Sequence, residues 1–335
     1  MARASRPRLI DVARDSRVSP ATVSRALAQP DLVKSGTRER VLASAAKLGY
    51  AAAPSASVPR LRAPTFGAVV PTLDNATFSH ALEAMQARLA RSACQLLVAT
   101  TGYSPAAETE AIRSFLSRGV DGLMLVGASR SPEAIDLLEA ARIPIVLTWV
   151  ADDRFDAVAI DNQAAGRLAA RHLAELGHER IGVVTGRLNA NDRQQLRIDG
   201  IRAELADAGL ALPDWRISQQ PYTLAGGRAG CTTLLSLAYP PTAIICGIDI
   251  QAFGCIVEAH VRGISIPGRL SLVGIDDLEM SAHMSPALTT VHVATTVIGE
   301  RTADKLVARI EGQSVERCTE LPIELVVRQS TGRPA

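Results

Sequence analysis

The run Ser19-Pro20-Ala21-Thr22-Val23-Ser24-Arg25 gathers hydroxyls and a guanidinium where helical spacing makes one exposed face. Ser19 is a good N-cap, and Pro20 suits the first helical position, where its missing N–H costs nothing. A helix over 20–28 then buries Val23 and Leu27 and exposes Ala21, Thr22, Ser24 and Arg25. Ahead of it, Leu9, Val12 and Ala13 fall at helical spacing in a short helix ending near Asp15. Two short helices joined by a tight turn form the helix-turn-helix pattern, whose second helix presents its exposed side to a major groove. Catalytic chemistry has little footing elsewhere. The six histidines are spread without metal-ligand spacing. There is no Gly-x-Ser-x-Gly elbow and no phosphate loop, Gly226-Gly227 fits no glycine fingerprint, and Asp276-Asp277 are adjacent and point differently. The residue types predict a binding protein, not an enzyme, with no cofactor and no metal.

A third helix over 37–48 places Val41, Leu42, Ala45 and Leu48 on one face and ends at Gly49, completing a small DNA-binding head. Charge sets this head apart. Residues 1–62 hold 12 Lys and Arg against 4 Asp and Glu, whereas the rest hold 24 against 30. A basic head on an acidic body predicts a polyanion partner for the head alone. After Tyr50 the stretch AAAPSASVPRLRAPTFG carries three prolines and marks a boundary. The expected organisation is a head over 1–50, a linker over 51–64 and a body over 65–335.

In the body, apolar runs alternate with helical stretches. FGAVVP, QLLVAT, GLMLVG and IPIVLTW read as buried strands, with helices near 78–91, 106–117 and 132–141. RIGVVTG, TAIICGI and LSLVGID follow, with helices near 164–176, 193–208, 225–237 and 250–261. Strands alternating with helices mean parallel sheets covered on both faces. Two such series in succession predict two doubly wound lobes with a ligand between them, at the carboxyl ends of the strands.

Composition agrees with folded units. Hydrophobic residues make up 47% of the 335, but aromatics only 3%, so Ala, Leu, Val and Ile must fill the cores. Five scattered cysteines with no C-x-x-C pair argue against a disulfide framework or structural zinc. MARASRPRLIDVARD lacks an apolar stretch fit for a signal sequence, and no window approaches a membrane span. The expectation is a cytoplasmic protein with no membrane partner.

The string IDVARDSRVSPATVSRALAQPDLVKSGTRERVLASAAKLGY resembles the head of the LacI/GalR family of bacterial regulators over about forty residues. The resemblance continues through DNQAAGRLAARHLAELGHERIGVVTG, from Asp161, and LVGIDDLEMSAHMSPALTTVHV, from Leu272. It implies an all-α helix-turn-helix head and an α/β two-lobed body of the periplasmic-binding-protein type, with parallel sheets. By it, Pro20, Ala21 and Arg25 face base edges, Arg25 with bidentate potential toward guanine. Ser19, Thr22, Ser24 and Thr37 would donate to phosphates. Arg17 stands where the family usually has Gly. In the linker the resemblance implies a hinge helix with an apolar minor-groove wedge, for which Val58 is the nearest candidate and Leu61 the next. Ala52-Ala53 replace the usual Pro-Asn pair there, and Pro54 and Pro59 restrict any helix.

In the body, the family uses an Arg and an Asp at the positions of Arg197 and Asp276 to hold sugar hydroxyls or a carboxylate. Asn75 and Phe78 are candidates at the rim of the first lobe. Asp249 matches a family Asn-Asp pair whose Asn is Ile248 here. ATTGYSPAAETEAIRSFLSRGVDGLMLVG and the later VLTW are similar to the branch that senses gluconate or ketogluconate. The resemblance therefore implies a transcription regulator, acting as a repressor on a double-stranded operator and modulated by a sugar or sugar acid. A homodimer on a pseudo-palindromic operator is expected; dimer versus tetramer stays open, and the lack of a heptad run after Gln329 leans toward dimer. Two alternatives stay open: a head that binds protein, and a sugar-binding protein without DNA-linked regulation. The basic head weighs against the second.

Overall fold

In the computed structural model, which describes residues 9–28, 33–48 and 63–335, the chain divides between Ala63 and Pro64 into two units. Among the described residues of the first unit are α1 (Leu9–Ser16), α2 (Pro20–Ala28) and α3 (Ser35–Leu48). Val12, Ala13, Val23, Ala26, Val41 and Ala45 are buried together between them. Two details differ from the apolar spacing. Leu27 is only partly buried because Ala26 takes the inward position on α2, and Leu42 is 44% exposed because α3 turns Val41, Ser44 and Ala45 inward. Ser16 and Ser44 both donate to the Val12 carbonyl, which lets two hydroxyls sit in this small core. Arg17 adopts φ +54°, and the Val18 N–H returns to the Ala13 carbonyl to close α1. A left-handed backbone at a non-glycine residue costs roughly 1–2 kcal/mol. The turn keeps its shape here at that cost. Val58, Leu61, Pro54 and Pro59 lie outside the described residues, as does Gly49.

The second unit holds two six-stranded sheets. The first contains β1 (Thr65–Val70), β2 (Gln95–Thr100), β3 (Gly122–Val126), β4 (Ile145–Trp149), β5 (Asp156–Ala159) and β11 (Cys318–Glu320). Its order is β11-β5-β4-β3-β1-β2, parallel throughout. The second contains β6 (Ile181–Thr185), β7 (Ile217–Gln219), β8 (Ala243–Cys246), β9 (Ser271–Asp276), β10 (Thr289–Val293) and β12 (Ile323–Val326). Its order is β12-β10-β9-β8-β6-β7, with only β12 antiparallel. β3, β4, β6, β8 and β9 are buried at every position, as strands covered by helices on both faces must be.

The covering helices are α4 (Ala76–Ala90), α5 (Pro105–Ser117) and α6 (Pro132–Ala140), then α7 (Asn162–Glu175), α8 (Asp192–Asp207), α9 (Leu224–Leu235) and α10 (Asp249–Val261). α11 (Glu279–His283) and α12 (Thr295–Ile310) complete the set. The lobes are not two successive series. The chain crosses between sheets after β5, returns with α12, which packs on α4, and crosses again between β11 and β12. Five strands and two helices lie outside the apolar runs of the expected series: β5, β7, β10, β11, β12, α11 and α12. β7 and β11 have three residues each, too few to show a period. No helix among the described residues is long and apolar enough to cross a membrane.

α7 and α8 touch backbone to backbone. A Cβ on Gly166 would lie 2.1 Å from the Arg197 carbonyl oxygen, and one on Gly200 would lie 2.0 Å from that of Gln163. This contact sets the height of α8 over the second sheet. Gly200→Ala must separate the helices at a cost of about 1–3 kcal/mol. Thermal unfolding is expected to show a Tm several degrees lower; an unchanged Tm would mean that the helix pair gives way freely.

Candidate functional site

In the head, Ser19, Pro20, Ala21, Ser24 and Arg25 are exposed, while Thr22 and Thr37 are half-buried. Ser19 caps α2: its Oγ accepts the Thr22 N–H at 3.1 Å and lies 2.9 Å from the Thr22 hydroxyl. These two hydroxyls are therefore held in place by each other and by the helix end. Ala21, Ser24 and Arg25 share the open side of α2, and no ion pair engages Arg25 among the described residues. A guanidinium on an exposed helix face beside small residues can approach a base edge closely.

In the body, a cleft opens between the lobes. It is lined by Asn75, Thr77, Phe78, Tyr103 and Trp149 from the first lobe and by Asn191, Arg193, Gln194, Arg197, Tyr222, Ile248 and Asp276 from the second. The enclosed space is about 340 Å³ with its mouth included. Every one of these residues follows, or ends, the carboxyl end of a strand, beside the points where β1 separates from β3 and β6 from β8 in sequence order. Asn75 caps α4 by accepting the Thr77 N–H, and Phe78 meets Trp149 edge-on with ring centres 5.2 Å apart.

Arg197 is buried in this cleft. Its Nε donates to Asn162 Oδ1 at 3.0 Å and its Nη1 to the Gly247 carbonyl at 2.6 Å, while Nη2 has no hydrogen bond among the described residues. Burial pushes its pKa down and the nearby Asp276 charge pushes it back up, yet the two make no direct ion pair among the described residues. Asp276 accepts the Thr77 hydroxyl at 2.9 Å, a bond from one lobe to the other. Tyr222 accepts from Asn191 Nδ2 at 2.7 Å and stacks against Tyr103 with ring centres 5.2 Å apart, also across the cleft. Burial pushes Tyr222 up to about 12, so it is a neutral phenol whose own O–H is free to donate.

Two atoms lining the cleft are buried without partners: the Trp149 indole Nε1, a donor, and Asn191 Oδ1, an acceptor. Buried polar groups are normally paired, so an orphan donor and an orphan acceptor in one cleft call for a ligand with both. The backbone is strained at the same place, with φ +66° at Trp149, +132° at Asp276 and +56° at Asp277.

Of the candidates read from the sequence, Asn75, Phe78, Arg197 and Asp276 meet in the cleft. Asp249 does not reach it. Its Oδ1 accepts the Thr290 hydroxyl at 2.6 Å, and its Oδ2 accepts the Leu278 N–H at 2.9 Å and the Ser281 hydroxyl at 2.6 Å. Those bonds use it to hold the loop that carries Asp276. The apolar Ile248 lines the cleft instead. Tyr103, Trp149, Asn191, Arg193 and Tyr222 escaped the sequence reading; the signal they do carry is their place just after, or at the end of, a strand.

Burial raises the Asp276 carboxyl to about 7, with Arg197 opposing the shift. An acid whose folded pKa exceeds its unfolded value stabilises the fold fully below the unfolded pKa and loses that contribution as pH rises through the folded one. The window here is from about pH 4 to about pH 7. Asp276→Asn cannot ionise, so its Tm is expected to fall less than that of the parent over this window. Parallel Tm profiles for the two proteins would refute a buried, titrating Asp276.

Residues 8–53 match the bacterial regulatory proteins of the lacI family, and residues 170–331 match the periplasmic binding protein-like domain. The HTH-type transcriptional repressor CytR of Escherichia coli K12 is 30% identical over 326 residues, 96% of this chain and 95% of CytR. A LacI-family transcriptional regulator from Silicibacter pomeroyi superposes with a TM-score of 0.83 at 27% identity, covering 98% of this chain and all of that one. The regulator CelR in complex with cellobiose superposes with a TM-score of 0.72 at 28% identity, covering 97% of this chain and 100% of that one. The fold is thus that of known regulators from helical head to two-lobed body. The chain belongs to the lacI family of bacterial regulatory proteins, as a DNA-binding transcriptional regulator with an effector-binding body.

Proposed function

We propose that this chain is a repressor whose operator affinity is set by a sugar acid bound in the cleft. The observation that carries the proposal is the convergence of unspent polar groups: Arg197 Nη2, the Trp149 N–H, Asn191 Oδ1 and the Tyr222 O–H. Hydroxyls satisfy both donors and acceptors, as a sugar does, and CelR holds cellobiose in the same fold. A carboxylate is favoured because Arg193 and Arg197 both line the cleft and face a single lining carboxylate, Asp276. Gluconate and ketogluconate combine these features. The role is binding and switching, without a chemical step.

On DNA, two copies would set two heads on a two-fold operator. Exposed Leu97 and Val98 on β2, an edge strand of the first sheet, support pairing with a second copy. Induction, in which the effector releases DNA, is the proposed sign, with a coupling on the order of 1–3 kcal/mol.

Gluconate or ketogluconate is expected to raise the Tm of the purified chain in proportion to the logarithm of its concentration above Kd, and Arg197→Ala to abolish the rise. A rise with neutral sugars alone would refute the carboxylate reading, and a rise unaltered by Arg197→Ala would refute the assigned cleft. For the head, Arg25→Ala is expected to cost about 1–3 kcal/mol on a duplex selected from random sequence and to relax preference at one base pair. Fluorescence anisotropy measures this at fixed salt, and unchanged affinity would remove Arg25 from the groove.

A further inference from the structure

Asp192, the first residue of α8, has a carboxylate in which all four acceptor positions are filled. Oδ1 accepts the Arg193 N–H at 2.8 Å and Arg193 Nη1 at 2.9 Å, both within its own lobe. Oδ2 accepts the N–H of Ala128 at 2.5 Å and of Ser129 at 2.8 Å, both in the first lobe. An acidic residue that only favours a helix N-terminus needs no partner 63 residues away.

The opposing loop is shaped for this carboxylate. Gly127 follows β3 with φ +74°, and the next two N–H groups converge on one point, the arrangement by which backbone turns hold anions. A Cβ on Gly127 would lie 2.0 Å from Arg193 Nη1 and 2.7 Å from Asp192 Oδ1. Only glycine allows the lobes to approach so closely at this edge.

We propose that Asp192 is a clasp: one oxygen holds the lobes together at residues 127–129, and the other aims Arg193 into the cleft. It is a positioning residue, touching no effector itself, and it joins closure of the cleft to the placement of a cation that an anionic effector would meet. When the lobes part, Ala128 and Ser129 lose their acceptor and Asp192 loses half its bonds. Closure and the aim of Arg193 therefore rise and fall together. The proposal deepens the effector-cleft reading and rests on it for its biological meaning, but the clasp can be tested without any effector.

Trp149, on the wall of the cleft, is 1% exposed, and the other tryptophan, Trp215, is 56% exposed. With Trp215→Phe as background, acrylamide quenching of the intact chain reads access to Trp149 alone. Adding Asp192→Ala is expected to raise the quenching constant about twofold or more, because an unclasped cleft opens more often. Asp192→Asn, which keeps the shape but not the charge, is expected to fall between. Asp207→Ala, at the other end of α8 and 70% exposed, serves as the control and leaves the constant unchanged. No rise with Asp192→Ala, or an equal rise with the control, would overturn the clasp. Failure of gluconate to shift the parent Tm would count against the sugar-acid reading and leave the quenching result standing.

Discussion

A guanidinium taken out of water is the constraint around which the body is arranged. Arg197 is buried without a carboxylate in contact, so its charge is carried by neutral acceptors and by the field of Asp276. Burying an unpaired charge is costly unless hydrogen bonds replace hydration. Asn162 supplies one such bond and makes a second connection besides, since its Nδ2 donates to the Trp149 carbonyl at 2.7 Å. One amide thus ties the end of β4 in the first lobe to the buried arginine of the second. That amide can reach Arg197 only because α7 lies on α8 without side chains between them, at Gly166 and Gly200. The helix packing and the cleft chemistry are one requirement.

Asp276, on the same lobe as Arg197, is held as firmly. Asp276 and Asp277 both sit at positive φ, which persists only where the surroundings fix it. Asp249 grips the loop from one side through Leu278, Ser281 and Thr290. Arg328 grips it from the other, donating to Asp277 Oδ1 at 2.6 Å and to the Leu288 carbonyl at 2.8 Å, while His292 adds a bond to Asp277 Oδ2. A strained carboxyl facing the cleft needs this kind of clamp, because rotation away from the cleft would relieve the strain.

The head was legible because its signals are local. Ser19, Pro20 and the spacing of Val12, Ala13 and Val23 specify two helices and a turn within residues 9–28, and the departure at Arg17 appears as a positive φ. The buried strands were legible for a similar reason, since each is a continuous apolar run. The interleaving of the lobes was not. Nothing within CTE or IELV says that the first joins one sheet and the second the other; that is decided by which edge each meets. The cleft was half legible. Arg197 and Asp276 are legible only through the family resemblance, which matches them position by position, whereas Trp149 and Tyr222 look like core residues until the opposite lobe supplies their neighbours. Asp249 shows the converse: the resemblance puts it among the ligand contacts, but its lone pairs are spent on its own lobe.

What faces across the cleft explains how such a protein can switch. The bonds from lobe to lobe there are Thr77 to Asp276, Ala128 and Ser129 to Asp192, and Asn162 to Trp149, with the Tyr103–Tyr222 stack beside them. Each hydrogen bond contributes a net of only about 0.5–1.5 kcal/mol, or about 1.5–3 kcal/mol where a charged carboxylate accepts, because water competes for the same groups when the lobes part. Closure is therefore a balance that a ligand can move with a few bonds of its own, at about 1.4 kcal/mol per tenfold change in population. A wide apolar contact across the cleft would have held it shut regardless of effector. Facing surfaces joined by a few hydrogen bonds form a balance that binding can tip.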